Sequence, residues 1–186
     1  MIMILQFNIV IIIALTSILG FAMIGNYYHD LILVYAQQTL DSDPINNNII
    51  NLSNIPSKQV KIGDIDISYK TFGKGDPILL IMGYAGSMYA WDPVVLKGLS
   101  TNHTVIVFDS RGIGNTTIGS KNFTIEQFAT DSAGLLDALK INKSDVLGFS
   151  MGRMIAQQLT LNYHDKVDDL IIYASYCGKN QSIPLN

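Results

Sequence analysis

Gly148-Phe149-Ser150-Met151-Gly152 decides the fold, because of what stands on either side of it. Val146-Leu147 leads into it as a short apolar strand, and Met151 to Tyr163 follows as a helix, with Ile155, Leu159 and Tyr163 four residues apart. A serine held between a strand and a helix, with glycine two residues away on each side, is the pattern of a sharp nucleophile turn. Small flanking residues are needed because the chain must fold tightly around a strained serine. The turn lifts the hydroxyl to the top of the sheet, beside the N-terminus of the following helix, whose free amides favour a developing oxyanion.

Upstream of the turn, strand and helix signals alternate. Val60, Ile62, Ile65, Ile67 and Tyr69 alternate about a Gly63-Asp64 turn and predict a β-hairpin. Pro77 to Met82 is a continuous apolar run of strand length, which suits a central strand covered on both faces. It opens into the loop Gly83-Tyr84-Ala85-Gly86-Ser87. Asp92-Pro93 starts a short helix through Leu96 and Leu99, and Thr104 to Phe108 is the next strand, closing on Asp109-Ser110-Arg111-Gly112-Ile113-Gly114. Ile125, Phe128, Ala129, Ser132, Leu135, Leu136 and Leu139 share one face of a helix spanning 124–139, with Thr124 and Gln127 as its capping box. Downstream of the turn, Val167 to Tyr173 reads as a sixth strand, whose Leu170 to Tyr173 would form an apolar edge. The alternation predicts an α/β fold: a mostly parallel sheet with an N-terminal antiparallel hairpin and helices on both faces.

The remainder of the chain divides into three expected parts. Residues 1–36 contain the apolar run Ile9 to Ile24, which fits either an export signal or a membrane anchor. Residues 37–57, rich in Asn, Ser, Asp and Pro, read as a polar linker, and residues 58–186 as an α/β domain cut after about its sixth strand. Six Asn-x-Ser/Thr sequons, at Asn51, Asn102, Asn115, Asn122, Asn142 and Asn180, accord with an exported or membrane-tethered domain lying outside the cytoplasm.

Composition excludes several functions. A net charge of −3 with no Lys/Arg cluster gives no electrostatic footprint for nucleic acid. The single cysteine, Cys177, makes no internal disulfide, and no Cys or His pair has metal-ligand spacing, so neither a metal nor a cofactor is expected.

From Val60 to Ala174 the order of hairpin, strand, glycine loop, helix, strand with Asp-x-Arg-Gly-x-Gly, helix and serine turn resembles the α/β-hydrolase family, most of all its lactonase, esterase and peptidase-like members. The resemblance implies a serine hydrolase acting on the carbonyl of a small ester, lactone or amide, with Ser150 as nucleophile. It implies the backbone amides of Tyr84 and Met151 as oxyanion donors, with Met82 standing where the family usually has histidine. Asp109 and Arg111 fall on a family motif that shapes a turn through an Asp–Arg pair, against the alternative of a chemical role for Asp109. Arg153 departs from the small residue usual at its position and calls for a route to solvent.

A serine hydroxyl needs a histidine to take its proton and an acid to orient that histidine. The family supplies both after later strands, so a missing C-terminal segment or chain is the expected source. A triad histidine is worth about 10⁶-fold in a serine protease, so little activity is expected without it. The competing expectation is a non-catalytic binding or scaffold protein built on the same fold.

Overall fold

The computed structural model describes residues 49–173, which lie in one compact unit beginning at Ile49. Six strands form a single sheet: β1 (Lys58–Ile62), β2 (Ile65–Gly73), β3 (Asp76–Ile81), β4 (His103–Phe108), β5 (Ser144–Phe149) and β6 (Val167–Tyr173). Their spatial order is β1-β2-β4-β3-β5-β6. β2 runs antiparallel to both β1 and β4, whereas β4, β3, β5 and β6 are mutually parallel. The first turn is the expected one, since Gly63 takes a left-handed φ of 56° that favours glycine.

Among the described residues three α-helices complete the layers: α1 (Pro93–Leu99), α2 (Ile125–Ala138) and α3 (Met151–Asn162). The apolar run of β3 is buried on both sides, as a covered central strand requires. Leu79 and Ile81 join Ile67, Ile106, Leu135 and Ile155 beneath α2 and α3, while Ile78 and Leu80 join Val105, Val107, Met88 and Leu96 beneath α1. The chain passes from β3 to β4 on one side and returns to β5 on the other. That reversal opens a crevice at the carboxyl ends of the strands, where ligands bind in such sheets.

Two local expectations are corrected. The end of the stretch read as a linker is packed: residues 49–57 include a 3-10 turn, Leu52–Asn54, whose Leu52 is buried against the α1 face of the sheet. The Ile50 amide donates to the Pro93 carbonyl at 3.1 Å, and the buried Lys70 ammonium donates to the Ile55 carbonyl. Of the capping box on α2, the Thr124 hydroxyl accepts from the Gln127 amide at 3.0 Å, but the Gln127 side chain turns inward to Asp131 at 2.8 Å. There its amide nitrogen donates to a buried carboxylate, a charge-assisted bond, instead of its oxygen accepting from the Thr124 amide as a capping box requires.

No helix among the described residues is long and apolar enough to cross a membrane; the run Ile9 to Ile24 lies outside them.

Candidate active site

The turn between β5 and α3 is built by close backbone packing. Ser150 sits at φ 53°, ψ −118°, a conformation that side-chain-bearing residues avoid and that the surroundings must enforce. The enforcement comes from its glycines. A Cβ on Gly148 would stand 2.6 Å from the Gly152 carbonyl oxygen, and one on Gly152 would stand 2.0 Å from the Ile81 carbonyl oxygen. Real Cβ atoms do not approach so closely, so glycine at both places lets α3 press against β3 and fold the chain back over Ser150. From the other side, the Ser150 amide donates to the Tyr173 carbonyl at 3.2 Å, tying the turn to the end of β6.

The Ser150 side chain is exposed and, although at the N-cap position of α3, caps no helix amide. Its hydroxyl is thereby left uncommitted to the helix. Met151 is the first residue of α3, and the leading N–H groups of a helix have no acceptor within it. The glycine loop after β3 comes to the same place: a Cβ on Gly83 would lie 3.4 Å from the Ser150 hydroxyl oxygen. The loop is tightened by a bond from the Gly86 amide to the Gly83 carbonyl, at 3.2 Å, and by a left-handed Ala85. Tyr84 follows Gly83 in that loop and is 83% exposed. Arg153 is half-buried on α3, which keeps the route to solvent that its charge requires.

Asp109 anchors the loop from below. One of its oxygens accepts from the Met88 amide at 2.8 Å and the other from the Asn115 amide at 3.1 Å. With both oxygens committed to backbone amides and the residue buried, its part is to hold the glycine-loop side and the Asp-x-Arg-Gly-x-Gly segment together. The expected pairing of Asp109 with Arg111 is not made. Arg111, fully buried, grips Asp131 through Nε and Nη2, each at 2.9 Å, and Asp64 through Nη1 and Nη2, each at 2.9 Å. The guanidinium holds the Asp64 carboxyl well below the usual carboxylate range, aided by the Ser120 amide, and is itself driven further from deprotonation. This bridge joins the hairpin turn, the loop after β4 and α2. Asp64 and Asp131 carry no local signal of it, since they lie 47 and 20 residues from Arg111.

Two of the three histidines fall among the described residues, and neither reaches Ser150. His103 opens β4 at the far end of the sheet, where its Nε2 lies 3.6 Å from the Asp145 carboxylate. His164 follows α3, and at about 1.5 Å per residue that helix carries it on the order of 20 Å from the serine. No cluster of acidic, Cys or His side chains able to hold a metal ion occurs among the described residues.

Sequence and structure comparisons agree on the family. Residues 76–185 match the family described as alpha/beta hydrolase fold. A relative from Mycobacterium tuberculosis that carries the name of a non-heme bromoperoxidase is 34% identical over 112 residues, 60% of this chain and 42% of its own length. A 3-oxoadipate enol-lactonase of Acinetobacter baylyi is 28% identical over 110 residues, 59% of this chain and 41% of its own. Among solved structures, an alpha/beta hydrolase fold protein from Chitinophaga pinensis superposes with a TM-score of 0.62 at 26% identity, over 66% of this chain and 45% of that one. The chain spans about two fifths of the length of the curated relatives it matches.

Proposed function

The chain belongs to the alpha/beta hydrolase fold family, and from that premise we propose that Ser150 is the nucleophile of an acyl-transfer hydrolase acting on a small ester, lactone or amide. The observation that carries the reading is the strained turn itself. It presents an exposed, uncapped hydroxyl between the first turn of α3 and the Gly83–Gly86 loop.

In this reading the Ser150 oxygen attacks the carbonyl carbon as its proton leaves to a base, and the carbonyl oxygen becomes an oxyanion. The amides of Tyr84 and Met151 receive it, aided by the positive end of the α3 dipole. Collapse expels the alcohol or amine and leaves an acyl-enzyme, which water then hydrolyses. One such oxyanion donor is worth about 10²–10³ in rate. No cofactor enters these steps. The base and its orienting acid come from polypeptide outside the described residues, because neither His103 nor His164 is placed to serve. Catalysis by the described residues alone is correspondingly slow, by about 10⁶-fold if the loss resembles that in a serine protease.

Labelling by a fluorophosphonate tests the nucleophile directly. Adduct formation at Ser150, abolished in Ser150→Ala, is the expected result. An unlabelled serine in the presence of a complementing histidine-bearing segment would sink the hydrolase reading and favour a non-catalytic binding protein, which the absence of a nearby histidine among the described residues also suits.

The apolar run Ile9 to Ile24 is read as an export signal or membrane tether that places the hydrolase domain outside the cytoplasm. Recovery of the full chain in a cytoplasmic soluble fraction would refute that placement.

A further inference from the structure

We propose that Asn142 is an acceptor for an N-linked glycan, used while the chain is exported and before β5 folds. This rests on the reading of Ile9 to Ile24 as an export signal or tether and is independent of the chemistry at Ser150.

A buried hydroxyl without employment in the fold carries the inference. Ser144, the first residue of β5, is 1% exposed, and its Oγ makes no hydrogen bond among the described residues. Burying a hydroxyl without a partner is unfavourable, and alanine would fill much the same space without that penalty. An unpaired group of this kind needs a reason to be there. The Trp91 indole N–H is also buried and unpaired among the described residues, but it accompanies a large ring that packs edge-on against Phe149. Serine brings little besides its hydroxyl.

The sequence supplies a use for that hydroxyl outside the fold. Ser144 is the third residue of Asn142-Lys143-Ser144, and a hydroxyl at that place is what makes the asparagine an acceptor. Since the native sheet buries Ser144 between β3 and β6, the transferring enzyme must read it from a chain in which β5 has not yet paired. Asn142 itself lies in the bend before β5 and stays exposed after folding, which leaves room for the attached sugar.

The other sequons among the described residues lack this mark. Thr104 donates its hydroxyl to the Gly75 carbonyl at 2.9 Å, Thr117 accepts from the Asp66 amide at 2.8 Å, and Thr124 caps α2. Each of these hydroxyls serves the fold. Ser53 is exposed, where water satisfies its hydroxyl.

In the transfer, Asn142 Nδ2 displaces the lipid diphosphate from the anomeric carbon of a lipid-linked oligosaccharide. The N–C bond forms, the C–O bond breaks with its electron pair leaving on the diphosphate, and the amide proton passes to a base of the transferase. The strand from Ser144 toward Ser150 rises about 3.3 Å per residue, which sets the glycan on the order of 20 Å from the serine, at the opposite end of the sheet. The crevice is left open.

The test expresses the full 186-residue chain in a eukaryotic secretory host, once with its own N-terminus and once behind a cleavable signal peptide of that host. Glycopeptides are mapped by mass spectrometry before and after enzymatic deglycosylation. Modification at Asn142 is expected, with complete loss in Ser144→Ala and in Asn142→Gln. In chain made in a cytoplasm, which receives no glycan, Ser144→Ala should leave the melting temperature unchanged or raise it. A bare Asn142 on chain recovered from the secretory lumen overturns the proposal. So does a lowered melting temperature in Ser144→Ala, which would give the hydroxyl a structural part. Cytoplasmic retention of the chain with its own N-terminus refutes the export reading, and the chain behind the host signal then decides the acceptor site by itself.

Discussion

Gly152 faces the carbonyl oxygen of Ile81 so closely that a Cβ on the glycine would come within 2.0 Å of it. This contact between the first turn of α3 and the last residue of β3 sets the depth of the Ser150 turn, because helix and strand approach at backbone distance.

Gly152→Ala therefore cannot be absorbed by a side-chain movement, and α3 must shift away from the sheet. Overpacking of this kind costs about 1–3 kcal/mol, and the urea unfolding midpoint should fall accordingly. A methyl group on Gly98, in α1, would meet nothing within 4 Å. Gly98→Ala should instead stabilise by about 0.5–1 kcal/mol, as expected for glycine inside a helix. Equal effects at the two positions would refute the close-approach argument.

Acid should weaken the fold through Asp64. Its folded carboxyl titrates below its unfolded value, so the bond to Arg111 contributes fully above the ordinary carboxylate pKa of about 4 and is lost as pH falls below it. Asp64→Asn should lower the melting temperature at neutral pH and flatten its decline in the acid range. A variant that melts in parallel with the native chain down to about pH 2 would contradict the assignment.

At Arg111 the loss should be larger. Arg111→Met leaves the buried Asp131 carboxylate without its guanidinium, and breaking one side of a buried ion pair costs about 3–5 kcal/mol. Denaturant unfolding measures it, and a change under about 1 kcal/mol, the size of a surface pair, would rule the bridge out as a support of the fold.

Tyr84 contributes a backbone amide in the proposed chemistry, not its ring. Since the ring is exposed, Tyr84→Ala should change stability by less than about 0.5 kcal/mol and leave the rate of fluorophosphonate labelling unchanged. A large loss of labelling with intact folding would assign the side chain a role.

Lys70 buttons residues 49–57 to the sheet through the Ile55 carbonyl, with its ammonium 5.3 Å from the centre of the Tyr89 ring. Lys70→Met should free that segment, seen as faster proteolytic cutting before β1 while the sheet core stays resistant. Unchanged cutting would show that Leu52 and the Ile50–Pro93 bond hold the segment down without Lys70.

How far the sequence reaches follows the range of the forces involved. The strands, the three helices, the Gly63 turn and the strained Ser150 were legible because each depends on a period, a cap or a glycine requirement within a few residues. Where side chains had to choose between distant partners, the reading failed. Arg111 passes over Asp109, two residues away, for Asp64 and Asp131, which chain reversal brings to it from the hairpin and from α2. Gln127 likewise leaves its own helix terminus for Asp131, and Leu52 leaves an apparently polar stretch for the core.

By itself, then, the sequence determined the α/β layering and the serine turn, because local backbone sterics and hydrophobic periodicity suffice for both. Only the tertiary structure decided which carboxylates meet the buried guanidinium and how close the Gly83 loop comes to Ser150. Those outcomes depend on the order in which strands pair across the sheet, and strand order is settled by packing between residues tens of positions apart.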